Sequence, residues 1–227
     1  MEHADSHQER CIACMPQDVG ECFHQIHLRV VWVQRIWTQH RQLFPLDNRH
    51  ADLLKRTAPE FFQIIFDELW DTTLLWIAKL LDKPDGYNKE MGKKVGNLTL
   101  EALIEICPEE SRSLCWQMQL TALRDKAGAI LAHRNSRIGH LDRDQALSRD
   151  LTRALPLHVE DVEAVLGGIY DFVNDFAAEF GVEQQAYKQM QILGGAEDLL
   201  KHLERAEEDW WALRGAFAES PANNKGA

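Results

Sequence analysis

The chain has 227 residues and a formal net charge of -11 at pH 7, and 45% of its residues are hydrophobic. A chain of this length buries one substantial core, or one core with an added helical subdomain, and its ordinary hydrophobic content excludes wholesale disorder. The acidic balance excludes a broadly basic surface that coats nucleic acid without specificity, so any nucleic acid would bind at a local patch.

The chain begins with an acidic stretch, which we interpret as an N-terminal extension over residues 1–18. Glu2, Asp5 and Glu9 do not fit the basic and then apolar regions of a signal peptide. We therefore expect a cytoplasmic protein, in which the 5 cysteines stay reduced.

Cysteine and histidine residues concentrate near the start of the chain, at Cys11, Cys14, Cys22, His24 and His27. A Cys-x-x-Cys pair is typical of zinc sites, but a second tight ligand pair at finger-like spacing is missing. We favour simple thiols beside surface histidines, and we expect neither a metal site nor another cofactor.

Two long amphipathic helices are predicted next. From Val19 to Leu43 the apolar residues step by three and four positions, which predicts one buried helix face. That face consists of Phe23, Ile26, Val30, Val33 and Trp37. A second helix is expected from about His50 to Leu81, with a bend at Pro59 because proline lacks the backbone N–H that a helix interior uses.

The second predicted helix carries apolar side chains around most of its circumference between Phe61 and Leu81. We therefore expect it to be central, with neighbours on several sides. Five polar side chains interrupt the apolar run, namely Gln63, Asp67, Glu68, Asp71 and Lys79. Each is costly in lipid, so we reject a membrane span and expect no membrane partner.

The middle of the chain contains a loop signal followed by two helix signals. Three lysines and three glycines in residues 86–96 predict an exposed, mobile loop. Thr99 is expected to cap a short helix that ends near Ile106, and Pro108 fits the first turn of the next helix. On that next helix an apolar seam leads in steps of four and three toward Arg134. The seam consists of Trp116, Leu120, Leu123, Ala127 and Ile130.

Two further helices are expected near the C-terminus. One covers about 159–180, with Gly181 as its C-terminal stop, and the other covers about 196–214, with Trp210 on its apolar seam. We expect residues 217–227 to form a disordered tail.

No convincing strand and no internal repeat is found, so the predicted fold class is an all-α bundle. We assign the bundle to residues 19–181 and a C-terminal helical extension to residues 182–216.

The segment from Ala132 to Asp142 holds the densest group of phosphate-binding and proton-transferring side chains in the sequence. Cleaving RNA without a metal needs a base for the 2′-OH proton, an acid for the leaving 5′ oxygen and a cation for the charged phosphorane. Histidine titrates near neutral pH, and the arginine fork matches phosphate oxygens. Arg134 and His140 supply these groups, and Asn135 can orient either group or the phosphate.

This segment also lies in the basic part of an acidic chain. Between Thr121 and Arg143 there are five basic residues and two acidic residues. We therefore predict that RNA contacts are made by Lys126, His133, Arg137 and Arg143.

Helix geometry limits how the motif can act. Arg134 and His140 are six positions apart, so on a regular helix of about 100° per residue they point about 120° apart. They meet at one spot only if the helix is distorted near Gly139 or if a second subunit supplies the complement. His133, Arg137 and His140 do share a face, and a twofold pairing of this helix would bring two sets of groups into one cleft.

The pattern of Arg134, Asn135, four intervening residues and His140 resembles the signature of HEPN domains, and its surroundings resemble the abortive-infection type U branch. The similar segments include Phe66, Leu69, Trp70, Leu74, Leu80–Asp82, Asn97–Leu100, Leu123–Lys126 and Gly139–Asp142. The likeness covers about His50 to Phe180, and it implies a helical bundle that dimerises through the motif helix.

The resemblance implies a metal-independent endoribonuclease used in phage defence or as a toxin, with Arg134 and His140 catalytic and Asn135 supportive. The partners it implies are RNA, a second copy of the chain, and an antitoxin or other defence-system protein. Some family members carry a tyrosine two residues after the histidine that a partner nucleotidyltransferase modifies. Asp142 occupies that position here, which argues against this form of control.

The alternative hypothesis is a non-catalytic HEPN-like helical module that binds a protein partner or nucleic acid. In that case Arg134 packs its stem along the bundle and pairs with Asp142 or another acid. His140 then serves as a cation that favours the helix C-terminal dipole.

Overall fold

The computed structural model describes residues 2–88, 93–107, 110–135 and 157–218. Helices form most of this part of the chain, which confirms the predicted all-α fold class. The elements are α1 (Glu2–Cys14), α2 (Gln17–Leu43), α3 (Ala51–Thr57), α4 (Pro59–Leu81), β1 (Asp85–Asn88), β2 (Lys93–Gly96), α5 (Leu100–Glu105), α6 (Glu110–Lys126), α7 (Gly128–His133), α8 (Val159–Glu179), a 3-10 turn (Tyr187–Gln189) and α9 (Ala196–Ala218).

Helices α1 and α2 approach each other closely. Gly20 permits this approach, because a Cβ atom at that position would lie 2.8 Å from the Cys11 carbonyl oxygen. The predicted apolar face of α2 is confirmed, since its five members are all buried: Phe23, Ile26, Val30, Val33 and Trp37. The first 18 residues therefore include a packed helix, which the sequence patterns did not indicate.

The predicted helix from His50 to Leu81 is two helices, α3 and α4. Ala58 has φ -159° and ψ 76°, which is outside the helical region. Proline disfavours helical backbone in the residue before it, and Pro59 therefore separates the helices instead of bending one.

The prediction that this helix is central holds only for the C-terminal part of α4. There Leu74, Ile77 and Leu80 are at most 1% exposed. Near its N-terminus, Phe61 and Ile64 are 55% and 60% exposed. The apolar count around the circumference was therefore a poor guide to burial at that end.

A β-hairpin occupies the segment that was expected to be a loop, so the prediction of no strand was wrong. Strands β1 and β2 pair antiparallel, from Asp85 opposite Gly96 to Asn88 opposite Lys93. The backbone N–H of Asn97 donates a hydrogen bond of 2.6 Å to the Pro84 carbonyl and closes the base of the hairpin. Strands of four residues that contain glycine and lysine lack the alternating apolar pattern by which a strand is recognised.

Local signals at helix ends were read correctly. The Thr99 hydroxyl accepts a hydrogen bond from the Ala102 amide at 3.1 Å and caps α5, as predicted. Gly181 has φ 72° and follows the end of α8, which confirms it as the stop. Pro108 lies outside the described residues.

The chain divides into two compact units, residues 1–36 with 70–190 and residues 37–69 with 191–227. In the first unit Phe176 stacks against Phe23 and packs against Trp116, with ring centroids 5.7 and 4.5 Å apart. The core of the second unit consists of Leu43, Leu53, Leu54, Phe62, Ala196 and Leu200. The domain boundaries drawn from the sequence stay a prediction.

Helix α9 extends to Ala218, beyond the predicted end at residue 214. Trp210 and Trp211 on this helix are each 57% exposed, so the placement of Trp210 on a buried seam was wrong. The predicted tail after residue 218 lies outside the described residues. No helix in the described ranges has both the length and the apolar content that crossing a bilayer requires.

Candidate functional site

The motif segment follows directly from the apolar seam of α6 and α7. The seam is confirmed in full, because all of its members are buried: Trp116, Leu120, Leu123, Ala127 and Ile130. Ala127, with φ -82° and ψ 2°, separates the two helices that were expected to be one. The next step of four along the seam is Arg134, where the chain leaves the core.

Arg134 and Asn135 continue α7 as a π-helical turn. A π turn bonds each residue to the fifth along the chain and is wider than an α turn, and such turns are frequent at functional sites. The offset of about 120° expected between Arg134 and His140 stays a prediction, because His140 lies outside the described residues. Asn135 is exposed.

The guanidinium of Arg134 forms an ion pair with Asp82. Nη2 of Arg134 lies 2.9 Å from Oδ2 of Asp82, and the two side chains are 26% and 47% exposed. The other oxygen of this carboxylate, Oδ1, accepts the Lys83 amide at 3.0 Å. Asp82 follows the last residue of α4, so the C-terminal end of α4 holds the arginine of the motif.

A second arginine, Arg124, caps the same end of α4. Its Nε donates to the Leu81 carbonyl at 2.7 Å, and its Nη2 donates to the Asp82 carbonyl at 2.8 Å. Nη2 also reaches Oε2 of Glu101 on α5 at 2.7 Å. The last carbonyls of a helix have no partner within the helix, and Arg124 satisfies two of them.

His133 contacts a different part of α4. Its Nε2 lies 3.5 Å from Oδ1 of Asp71, and its side chain is 13% exposed. Asp71 and Asp82 are eleven residues apart, which corresponds to about 16 Å along a helix. The neighbouring side chains of His133 and Arg134 therefore do not converge on one point.

Lys126 is exposed and lines a groove between α6 and α8. The groove has a volume of about 230 Å³, and Asp171 and Asp175 also line it. The Gln119 amide donates to Oδ2 of Asp175 at 3.4 Å across this groove. Two carboxylates beside the lysine weaken the attraction that Lys126 offers to a phosphate.

The structure describes four of the predicted site residues, namely Lys126, His133, Arg134 and Asn135. The other three, Arg137, His140 and Arg143, lie outside the described residues.

The acids that hold the motif, Asp71 and Asp82, were missed as partners, and so was the cap by Arg124. An ion pair between Arg134 and an acidic residue was expected from the sequence, with Asp142 as one candidate. No sequence pattern identified Asp82 as that acidic residue.

A buried polar cluster lies elsewhere in the first unit. Nδ1 of His7 and Nδ1 of His24 share a hydrogen bond of 3.0 Å, and the His7 ring stacks on His27 with centroids 4.0 Å apart. Nδ1 of His27 lies 2.8 Å from the Tyr187 hydroxyl. His24 and His27 are 3% and 9% exposed, so the expectation of surface histidines was wrong.

Burial lowers the pKa of His7 and of His27 in this cluster. Burial, together with the neighbouring His7 and His24, lowers the pKa of His27 to about 3. Burial likewise raises the pKa of the Cys11 thiol to about 11. A thiol of this kind is a weak nucleophile and a weak metal ligand. Within the described ranges, no three histidine, cysteine, aspartate or glutamate side chains are arranged to hold a metal ion.

Comparison with known proteins places these features in a family. The family model described as AbiU2, of the HEPN type, matches residues 17–191. The matched range contains α2 through the 3-10 turn and includes the whole motif from Arg134 to His140. No curated protein and no solved structure matches the chain.

Proposed function

This chain belongs to the AbiU2 family of HEPN domains, and from that membership we propose that it is a metal-independent endoribonuclease. It acts as a homodimeric toxin or phage-defence effector in the cytoplasm, with RNA as its substrate and an antitoxin or other defence-system protein as its regulator. The observation that carries the proposal is the family match over residues 17–191, which contains Arg134, Asn135 and His140.

In the proposed reaction the 2′-oxygen of RNA attacks the adjacent phosphorus, and the bond from phosphorus to the 5′ oxygen breaks. One general base removes the 2′-OH proton, and one general acid protonates the leaving 5′ oxygen. His140 serves as the general base or as the general acid. Arg134 stabilises the charge on the phosphorane, and Asn135 orients the phosphate. The products are a 2′,3′-cyclic phosphate and a 5′-hydroxyl.

The described part of the motif supports this role for Arg134 and Asn135. Arg134 is 26% exposed at the end of α7, and Asn135 next to it is exposed. A guanidinium has five N–H donors, so the bond to Asp82 leaves capacity for phosphate oxygens. His133, Arg137, Lys126 and Arg143 are proposed to contact the RNA around the cleaved bond.

The direct test is RNA cleavage by the purified protein in EDTA. We expect cleavage that leaves cyclic phosphate ends, and we expect His140→Ala to abolish it while the protein stays folded and dimeric. Lys188→Ala, on the 3-10 turn outside the motif, is the control and should cleave like the wild type. Full activity of the His140→Ala protein, or activity that EDTA removes, would contradict the proposal.

One observation favours the second candidate function, a non-catalytic HEPN-like module that binds a protein partner or nucleic acid. Arg134 and His133 each contact an acid on α4, as expected for side chains that stabilise a bundle. RNA binding without any cleavage, unchanged by His140→Ala, would select this function over the ribonuclease.

A further inference from the structure

We propose that Asp82 is a positioning residue for the ribonuclease step, whose carboxylate holds the guanidinium of Arg134 ready for the scissile phosphate. This inference rests on the proposed function and goes beyond it, because Asp82 lies 52 residues before Arg134 and outside the motif. The inference extends the proposed site to the C-terminal end of α4, which lies outside the motif.

The contact with Asp82 can orient Arg134 and still leave most of its N–H donors available for phosphate oxygens. Only one N–H of Nη2 is needed for the bond of 2.9 Å to Oδ2 of Asp82. The arginine side chain has many rotamers, and a charge-assisted bond to a carboxylate restricts them. Fixing the guanidinium before RNA arrives lowers the cost of ordering it during the reaction.

Asp82 can act as a fixed anchor because it is held on two sides. Its backbone carbonyl accepts Nη2 of Arg124, and its Oδ1 accepts the Lys83 amide. Arg124 is itself held by Glu101 at 2.7 Å, and Thr99 caps the helix that carries Glu101. The position of Arg134 is thereby tied to α4 and α5 as well as to its own helix.

The charge of Asp82 also points to a role toward Arg134. The C-terminal end of a helix carries partial negative charge, where an aspartate is unfavourable. Asp82 stands directly after Leu81, the last residue of α4. Its carboxylate therefore interacts unfavourably with the dipole of α4, whereas its attraction to Arg134 is favourable.

The test compares the kinetics of Asp82→Asn and Asp82→Glu with the wild type. Asparagine keeps the shape but loses the charge, so we expect kcat to fall by about tenfold to a hundredfold. Glutamate keeps the charge on a longer stem, and it should recover part of that loss. Binding of RNA blocked by 2′-O-methyl groups should tighten in Asp82→Asn, because the acid no longer competes with phosphate for Arg134.

A matched control removes a carboxylate from another arginine pair. Glu207 contacts Arg56 through two bonds of 2.7 and 3.0 Å in the second unit. Glu207→Gln should leave kcat and RNA affinity unchanged. The tightened binding should also disappear when Asp82→Asn is combined with Arg134→Ala, since Asp82 acts through Arg134.

The outcomes separate this inference from the proposed function. If the wild type does not cleave RNA, the proposed function and the positioning role both fail. If the wild type cleaves and Arg134→Ala does not, but Asp82→Asn cleaves like the wild type, only the role of Asp82 is overturned. A higher kcat in Asp82→Asn would also overturn it, because Asp82 would then restrain Arg134. If Asp82→Asn does not fold, Asp82→Ala carries the test, and an unchanged kcat in that variant overturns the inference.

Discussion

At the scale of single residues, two arginines in neighbouring helices share one helix end for different purposes. Arg124 is bonded to the backbone carbonyls of Leu81 and Asp82, which is a capping contact. Arg134 is bonded to the side chain of Asp82 and carries the partly exposed guanidinium of the motif. Residue type alone does not distinguish these arginines, because the difference lies in which atoms they contact.

The buried His27 leads to a prediction about how the free energy of unfolding depends on pH. The pKa of His27 is lowered from 6.5 to about 3, so the unfolded chain binds a proton that the folded chain excludes between these values. The contribution of the neutral, buried His27 to the free energy of unfolding is therefore fully present above about pH 6.5, and it is lost as the pH falls toward 3. From pH 7.5 to pH 5 the contribution of His27 should fall by about 2 kcal/mol.

This loss can be measured as the free energy of unfolding in urea at both pH values. His27→Gln should show a smaller loss than the wild type, because its side chain does not titrate. His202→Gln is the control, since His202 is exposed on α9. An equal loss in the wild type and in His27→Gln would refute the assignment.

At the scale of elements, the packing of α6 against α8 depends on a missing side chain. A Cβ atom on Gly168 of α8 would lie 2.8 Å from Cδ1 of Leu123, which is 6% exposed in the seam below the motif. The neighbouring Gly167 has more room, since its Cβ would meet only Nζ of Lys188 at 3.5 Å. Close packing therefore requires glycine at position 168, whereas position 167 has room for a side chain.

The two glycines should respond to alanine with opposite signs. Gly168→Ala forces the buried Leu123 to move, which costs about 1–3 kcal/mol, and the gain in helix propensity of about 0.5–1 kcal/mol offsets part of this cost, so the free energy of unfolding should fall by up to about 2 kcal/mol. Gly167→Ala introduces a better helix former in an open position and should raise it by about 0.5–1 kcal/mol. Thermal and urea unfolding of both variants would check this, and two changes of the same sign would count against the packing at Gly168.

At the scale of the whole molecule, the proposed dimer would concentrate positive charge where the proposed RNA substrate binds. The net charge of -11 disfavours RNA over most of the surface, so attraction has to come from a local concentration of cations. Two copies of the motif segment in one cleft would double that concentration without changing the rest of the surface.

Mixing two inactive variants tests whether the dimer builds the site. If each site takes Arg134 from one copy and His140 from the other, mixed dimers of Arg134→Ala and His140→Ala contain one complete site of two. They should then recover about half of the wild-type activity per dimer. If each site lies within one copy, no mixed dimer is complete and the mixture stays inactive. Each variant alone, carried through the same mixing steps, is the control.

The sequence alone determined the features that depend on neighbours along the chain. The helical class, the apolar face of α2, the seam leading to Arg134, the Thr99 cap and the Gly181 stop all follow from the spacing of a few nearby residues. Membership of the HEPN group was also readable, because its motif is a short local pattern that ends at His140. Each of these features is encoded by residues that lie within a few positions of one another.

Only the tertiary structure decided which distant residues meet. It selected Asp82 as the partner of Arg134, placed Arg124 on the end of α4, and buried His24 and His27 instead of exposing them. It also left Trp210 exposed on a helix whose pattern looked buried. The physical reason is the same in each case: partners separated by tens of residues are chosen by the packing of whole helices, and the order of residues within one helix does not encode that choice.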